Sequence, residues 1–240
     1  MVGSFLEKWG WFIKNSLFIV IYAIVATTLY DLVAEITLNR ASPVFYTPLD
    51  YMIPFEPLFV IIYVFIFYPF VLFTIGYFAY VRPEKFDRVF VALMIVYAIS
   101  YLTYLIYPVR MDRPDLSGRT DFLSRVMNKY YEDDLPVNCF PSLHAANSTL
   151  SAYFLSREKP KYAFLFWLIA VLVMVSTLFV RQHVIADEIA GFLVAFFASY
   201  ISEKLISVGP EVKEYFKARV IFTVVLASLI TVVMLLAYIP

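Results

Sequence analysis

Seven apolar runs punctuate the chain, each approaching the roughly 20 residues that an α-helix needs to cross a bilayer. They fall at Ser16 to Ala34, Leu58 to Tyr80, Val89 to Tyr107, Ser142 to Leu155, Tyr162 to Val180, Val184 to Ile206 and Val220 to Tyr238. The fourth, SLHAANSTLSAYFL, is short and rich in small residues. That pattern suits a helix packed inside a bundle better than one facing lipid, and it is where a site could be built. The first run is long, lacks a clear small-residue cleavage site and ends in Asp31 and Glu35, so it reads as a helix rather than a signal peptide. No repeat relates the two halves.

The one long hydrophilic connection, Pro108 to Phe140, exceeds usual loop lengths. Within it Phe122, Leu123, Val126, Met127 and Tyr130 recur at helical spacing beside Arg119, Arg125 and Lys129. A short helix is predicted there, either lying at headgroup level or simply covering the bundle. Glu132, Asp133 and Asp134, which follow, read as solvated loop.

Composition agrees with a bilayer as solvent: of 240 residues, 62% are hydrophobic and 16% charged. The expected fold is all-α, a polytopic membrane bundle forming a single embedded domain over residues 1–240. Formal charge balances at zero, which removes the electrostatic argument for nucleic acid. Cys139, the single cysteine, cannot form an intrachain disulfide and reads as a small buried residue. Counted by alternate loops, 12 of the 19 basic residues fall on the side of Lys8 and Arg82. The positive-inside rule then makes the N-terminus cytoplasmic and turns the long loop outward, in an integral protein expected at the plasma membrane.

The only two histidines, His144 and His183, both begin predicted helices on that outer side. Asp187 follows His183 by four residues, so its carboxylate can hold one ring nitrogen and leave the other free as a nucleophile. Ser142 and His144 open a helix, where free N–H groups favour an anion such as phosphate. Arg110 and Arg113 in RMDRP, with Arg181 in VRQH, could supply forked donors to phosphoryl oxygens. That scheme needs no metal or other cofactor. A histidine near a helix end is more often structural than catalytic, and arginines near a membrane can simply touch headgroups. The argument for a site is that both histidines, an aspartate at the right offset and three arginines map to one side.

In order, RMDRP, PSLH and STLFVRQHVIAD resemble the three motifs of the type 2 phosphatidic acid phosphatase (PAP2) superfamily. The motif-bearing part spans residues 108–191. PSLH, STLF-x-x-QH and LDYMIPFEP are similar to the inositol phosphorylceramide synthase-like branch. The resemblance implies a six-helix core, so the remaining predicted helix would be additional. It implies His183 as a nucleophile forming a phosphohistidine, Asp187 orienting it, His144 protonating the leaving group, and Arg113 and Ser142 binding phosphate. This chain departs from the pattern at three places. Ile106 stands where the family has lysine, so Arg110 becomes a substitute. Ser176 and Thr177 replace a Ser-Arg pair, which leaves Arg181 as the candidate ligand. Leu143 stands where many members have glycine.

The leading expectation is a phosphatase hydrolysing a membrane lipid phosphate or diphosphate at the outer face. The nearest rival is a phosphotransferase passing the head group to an alcohol or lipid acceptor. A proton-relay transporter would place ionisable groups near the midplane and often show repeats, and a scaffold would leave the convergence unexplained. Partners are then the bilayer and its lipid phosphates, with a homo-oligomer left open.

Overall fold

The computed structural model describes residues 2–206, and Val220 to Tyr238, the seventh expected helix, lies outside them. The fold is a helical membrane bundle. In chain order come α1 (Val2–Thr37), β1 (Ser42–Pro43), α2 (Phe67–Gly76), α3 (Pro83–Ile106), β2 (Val109–Arg110), α4 (Phe122–Asp133), α5 (Leu143–Glu158), α6 (Ala163–Phe179) and α7 (Ile185–Leu205). α2 is the middle of a longer span, Pro57–Val81, flanked by π-helical segments at Ile61–Ile66 and Tyr77–Val81. Pro69 follows the first of these closely; it has no N–H to donate to the carbonyl of Phe65, and a widened turn accommodates that loss.

Among the described residues, five helices are long and apolar enough to cross a membrane: α1, the α2 span, α3, α6 and α7. The sixth member of the bundle, α5, is shorter, and every residue from Ala145 to Leu155 is buried. It packs against α2, α3, α6 and α7, as its small side chains predict. The outward faces of α1, α2 and α6 expose Leu17, Ile24, Leu72, Phe73, Phe164 and Leu165. Such faces are at home in hydrocarbon and would be a liability in water. Two helices start earlier than their apolar runs: α1 at Val2 and α3 at Pro83, whose fixed φ suits a first helical turn.

The two ends of the bundle differ. At one end, Arg82 and Lys85 from the start of α3 pair with Glu158, and Arg157 pairs with Glu203. At the other end the loops converge, tied by a short parallel pairing of Ser42 with Val109 and Pro43 with Arg110. Asp121 caps α4 by accepting from the Ser124 N–H at 2.8 Å. Tyr130 of α4 meets Tyr68 of α2 hydroxyl to hydroxyl, so the loop helix is fastened onto the bundle.

The starts of α5 and α7 meet at a single glycine. A Cβ on Gly191 would lie 2.3 Å from the Ser142 carbonyl oxygen and 2.9 Å from the Ala145 Cβ. Only backbone can yield there, so Gly191→Ala should force the two helix starts apart. The expected cost is about 1 to 3 kcal/mol, with a lower midpoint in a detergent thermal-unfolding assay. An unchanged midpoint would contradict the tight apposition.

Candidate active site

At the loop-bearing end, the two histidine rings face each other. His144 Nδ1 and His183 Nε2 are 3.2 Å apart. On the far side of its ring, His183 Nδ1 meets Asp187 Oδ2 at 3.4 Å. A carboxylate on Nδ1 favours a proton there, which leaves Nε2 as the acceptor and His144 Nδ1 as the donor to it. His144 lies in the first turn of α5, with its ring centroid 4.8 Å from that of Tyr63 and 4.6 Å from that of Phe67.

The i, i+4 spacing of His183 and Asp187 works for a different reason than a shared helix face. His183 and Val184 precede α7, and Asp187 reaches back from its first turn to accept the Val184 N–H at 3.1 Å. One carboxylate thereby caps the helix and orients the imidazole. Burial alone would lower the His183 pKa, but the Asp187 hydrogen bond and the charges of Glu188, Asp187 and Asp134 outweigh it and raise the group. To act as a nucleophile, His183 would have to be unprotonated at Nε2. Activity should therefore fall on the acid side through a pKa above the ordinary value of about 6.5. The pH profile of kcat/KM checks this, and an acid limb centred below that value would contradict it.

Ser142 is fully buried and caps α5, its hydroxyl accepting the Ala145 N–H at 3.2 Å. Arg113 donates through Nη2 to Asp134 Oδ2 at 2.8 Å and to Gln182 Oε1 at 2.7 Å. Its guanidinium lies 4.9 Å from the Tyr131 ring centroid. Arg113 Nε and Gln182 Nε2 are buried without a hydrogen-bond partner, so donors remain for an incoming oxygen.

Arg110 and Arg181 are not brought to the histidines. Arg110 is exposed on β2 and lines a surface depression of about 460 Å³ with Asp112, Asp115 and Glu132. Arg181 has a left-handed φ of 52° where the chain turns between α6 and α7. Its guanidinium donates to the carbonyls of Asp50 at 3.1 Å and Ile53 at 3.2 Å, tethering the loop before α2. Neither is placed beside the histidines in this structure, where the expectation of a phosphate ligand would have it. The solvated reading of the acidic cluster holds for Glu132 and Asp133, whose side chains are largely exposed. Asp134 instead turns inward, where burial raises its pKa against the opposing pull of Arg113.

Asp50, Glu188 and Tyr104 contribute without having been singled out from the sequence, and Thr177 was noted there only as a departure from the family's motif. Asp50 accepts the Ile185 N–H at 2.8 Å, holding the start of α7 from more than a hundred residues away. Thr177, at the position of the family's arginine, donates to Glu188 Oε1 at 2.9 Å, and both are buried. Tyr104 donates to the Pro141 carbonyl at 2.8 Å and steadies the approach to α5. The ADE triplet, Ala186 to Glu188, is the one local signal that could have pointed to Glu188.

A cavity of about 350 Å³ runs from this end into the bundle between α1, α2, α3 and α5. His144, His183, Asp134 and Gln182 line one end, and Ile19, Val71, Leu72 and Leu93 line the other. From Tyr30 to Ile19 it follows α1 for roughly 16 Å at the helical rise per residue. Among the described residues, no three His, Cys, Asp or Glu side chains are placed to hold a metal ion.

Comparison with curated proteins and with solved structures gives no match. Comparison with protein families matches residues 88–208 to the PAP2 superfamily. That stretch takes in most of α3 and all of α4 to α7, with Arg113, Ser142, His144, His183 and Asp187 inside it. With just over half of its 240 residues matched and both histidines within the match, this chain belongs to the PAP2 superfamily.

Proposed function

We propose that the chain is a membrane enzyme that takes the phosphoryl group of a lipid phosphate or diphosphate onto His183 and passes it to water. The observation that carries this is the facing pair of histidine nitrogens, 3.2 Å apart, at the polar end of an otherwise largely apolar cavity inside the bundle. Membership of the superfamily supports phosphatase or phosphotransferase chemistry in general.

In the first step His183 Nε2 attacks phosphorus and the bond from phosphorus to the lipid oxygen breaks. His144 gives the departing oxygen its proton. In the second step His144 takes a proton from water, whose oxygen attacks phosphorus and releases His183. The phosphoryl group replaces the direct contact between the rings. Arg113 and the N–H groups at the start of α5 hold its oxygens, with Ser142 fixing that start. The apolar end of the cavity takes the lipid chain. The count of basic residues by alternate loops supports a site on the outer face of its membrane.

A second reading has an alcohol in place of water, giving head-group transfer. Tyr30, Tyr97, Asn138 and Asn147 on the cavity wall support it, because they could hold an acceptor's hydroxyls. The resemblance of PSLH to the inositol phosphorylceramide synthase-like branch points the same way.

The test is phosphate release by purified protein in detergent with EDTA, across phosphatidic acid, phosphatidylglycerol phosphate and isoprenyl diphosphate. Release from one or more of these supports the hydrolytic reading. No release from any, with a product formed only when an alcohol is added, replaces it with transfer.

A further inference from the structure

We propose that the lipid substrate reaches His183 sideways from the bilayer, its chain sliding into a slot between α1 and the α2 span, while water arrives by way of the outer depression. This route rests on the phosphohistidine reading and says how its site is loaded.

The two walls of the slot are bolted together at the end far from the histidines. There Asn15 donates to the Ala79 carbonyl at 3.1 Å, the Ser16 and Tyr80 hydroxyls meet at 2.9 Å, and the Phe12 and Tyr80 ring centroids lie 4.6 Å apart. Toward the site each wall is held by a different neighbour. Tyr101 of α3 donates to the Ala26 carbonyl at 2.7 Å, and Asn138 of the long loop donates to the Tyr30 carbonyl at 2.9 Å, which fixes α1. The α2 wall is fixed instead by the hydroxyl contact of Tyr68 with Tyr130 of α4.

The cavity of about 350 Å³ fills the gap between these walls. In antiparallel register from Asn15 opposite Ala79, Ala23 comes level with Leu72 and Thr27 with Tyr68. All four line the cavity and all four are exposed. Leu72 is 64% exposed, far more than the wall of a closed cavity allows, so this side of the cavity is a mouth. The mouth lies within the apolar spans Asn15–Arg40 and Pro57–Val81 and therefore opens to hydrocarbon.

Sideways entry costs the chain little. A lipid lifted into water loses the favourable burial of every methylene, whereas one that slides between α1 and α2 exchanges bilayer for Ile19, Ile75, Phe90 and Leu93. Its phosphate stays at the level of the loops, where His144, His183 and Gln182 line the outer end of the slot. Water has a separate approach. Arg113 lines the outer depression, while its bonded partners Asp134 and Gln182 line the cavity. Lipid and water thus meet at the histidines from different sides of Arg113.

A plug in the mouth tests this route. Ala23→Trp adds bulk opposite Leu72 at an exposed position that needs no core repacking, and Phe164→Trp, on the exposed face of α6, is the control. In phosphatidylcholine nanodiscs, kcat/KM for dioleoyl phosphatidic acid should fall about tenfold or more in Ala23→Trp, the loss of two or more buried methylenes, and hold in Phe164→Trp. Phenyl phosphate, which has no chain to thread, should lose far less in Ala23→Trp. Equal losses on the two substrates, or no loss on the lipid, would overturn the proposal. A binding readout keeps the route apart from the chemistry. In His183→Ala nanodiscs, a phosphatidic acid with a mid-chain diazirine should label the segments around Ala23 and Leu72, and excess unlabelled phosphatidic acid should compete that labelling away. The same result with no phosphate release from wild-type protein would sink the phosphohistidine reading and leave the slot standing. Labelling there that is no more competable than labelling around Phe164 would overturn the slot.

Discussion

His183→Ala should lose phosphoryl release by roughly 10⁴-fold or more, the scale seen when an enzyme's nucleophile is removed. The two histidines are the only imidazoles in the chain, and His183 is the one backed by a carboxylate. Asp187 is itself pinned by the Val184 N–H, so the alanine variant keeps the α7 cap while losing the attacking nitrogen. Retained thermal stability alongside lost turnover separates chemistry from folding. Undiminished release by a folded His183→Ala protein would end the account.

The second large effect is at His144. A general acid contributes roughly 10²- to 10⁴-fold, and only where the leaving oxygen needs a proton. In kcat/KM, which reports transfer onto His183 and not the later attack of water, His144→Ala should therefore cost that much on an alkyl phosphate lipid and far less on an aryl phosphate, whose phenolate departs unaided. The kcat/KM values on the two leaving groups, compared in the variant and the wild type, give the answer. Equal losses on both would mean that His144 positions His183 rather than donating a proton.

The bundle was legible because lipid imposes length and apolarity on a helix, and the runs at Ser16, Leu58, Val89, Tyr162 and Val184 met both demands. α5 was legible through its small residues, and α4 through the spacing of Phe122, Leu123, Val126 and Met127. The π segments around α2 were hidden, because i→i+5 bonding leaves no residue signature in an all-apolar stretch. Helix ends were hidden where charged residues such as Glu84 and Lys85 continue a helix beyond its hydrocarbon part.

At the site, the histidines and Asp187 could be read because their partnership is local or set by helix starts on one side. The arginines could not be assigned by side alone. Arg110, Arg113 and Arg181 share one end of the bundle, yet backbone direction sends only Arg113 to Gln182 beside His183. Asp134 reads as solvated loop because it follows the exposed acids Glu132 and Asp133 at the end of α4, and only the fold pairs it with Arg113. Asp50 was beyond reach, since nothing local links it to the N–H of Ile185.

The most direct test of the central claim is intact-protein and peptide mass spectrometry on enzyme quenched at neutral pH during turnover of a lipid phosphoester. The account predicts a phosphoryl adduct that maps to His183, builds up in His144→Ala given an aryl phosphate, from which it forms without His144 but breaks down slowly, and is absent in His183→Ala. Turnover with no adduct on His183 in any of the three proteins would contradict it.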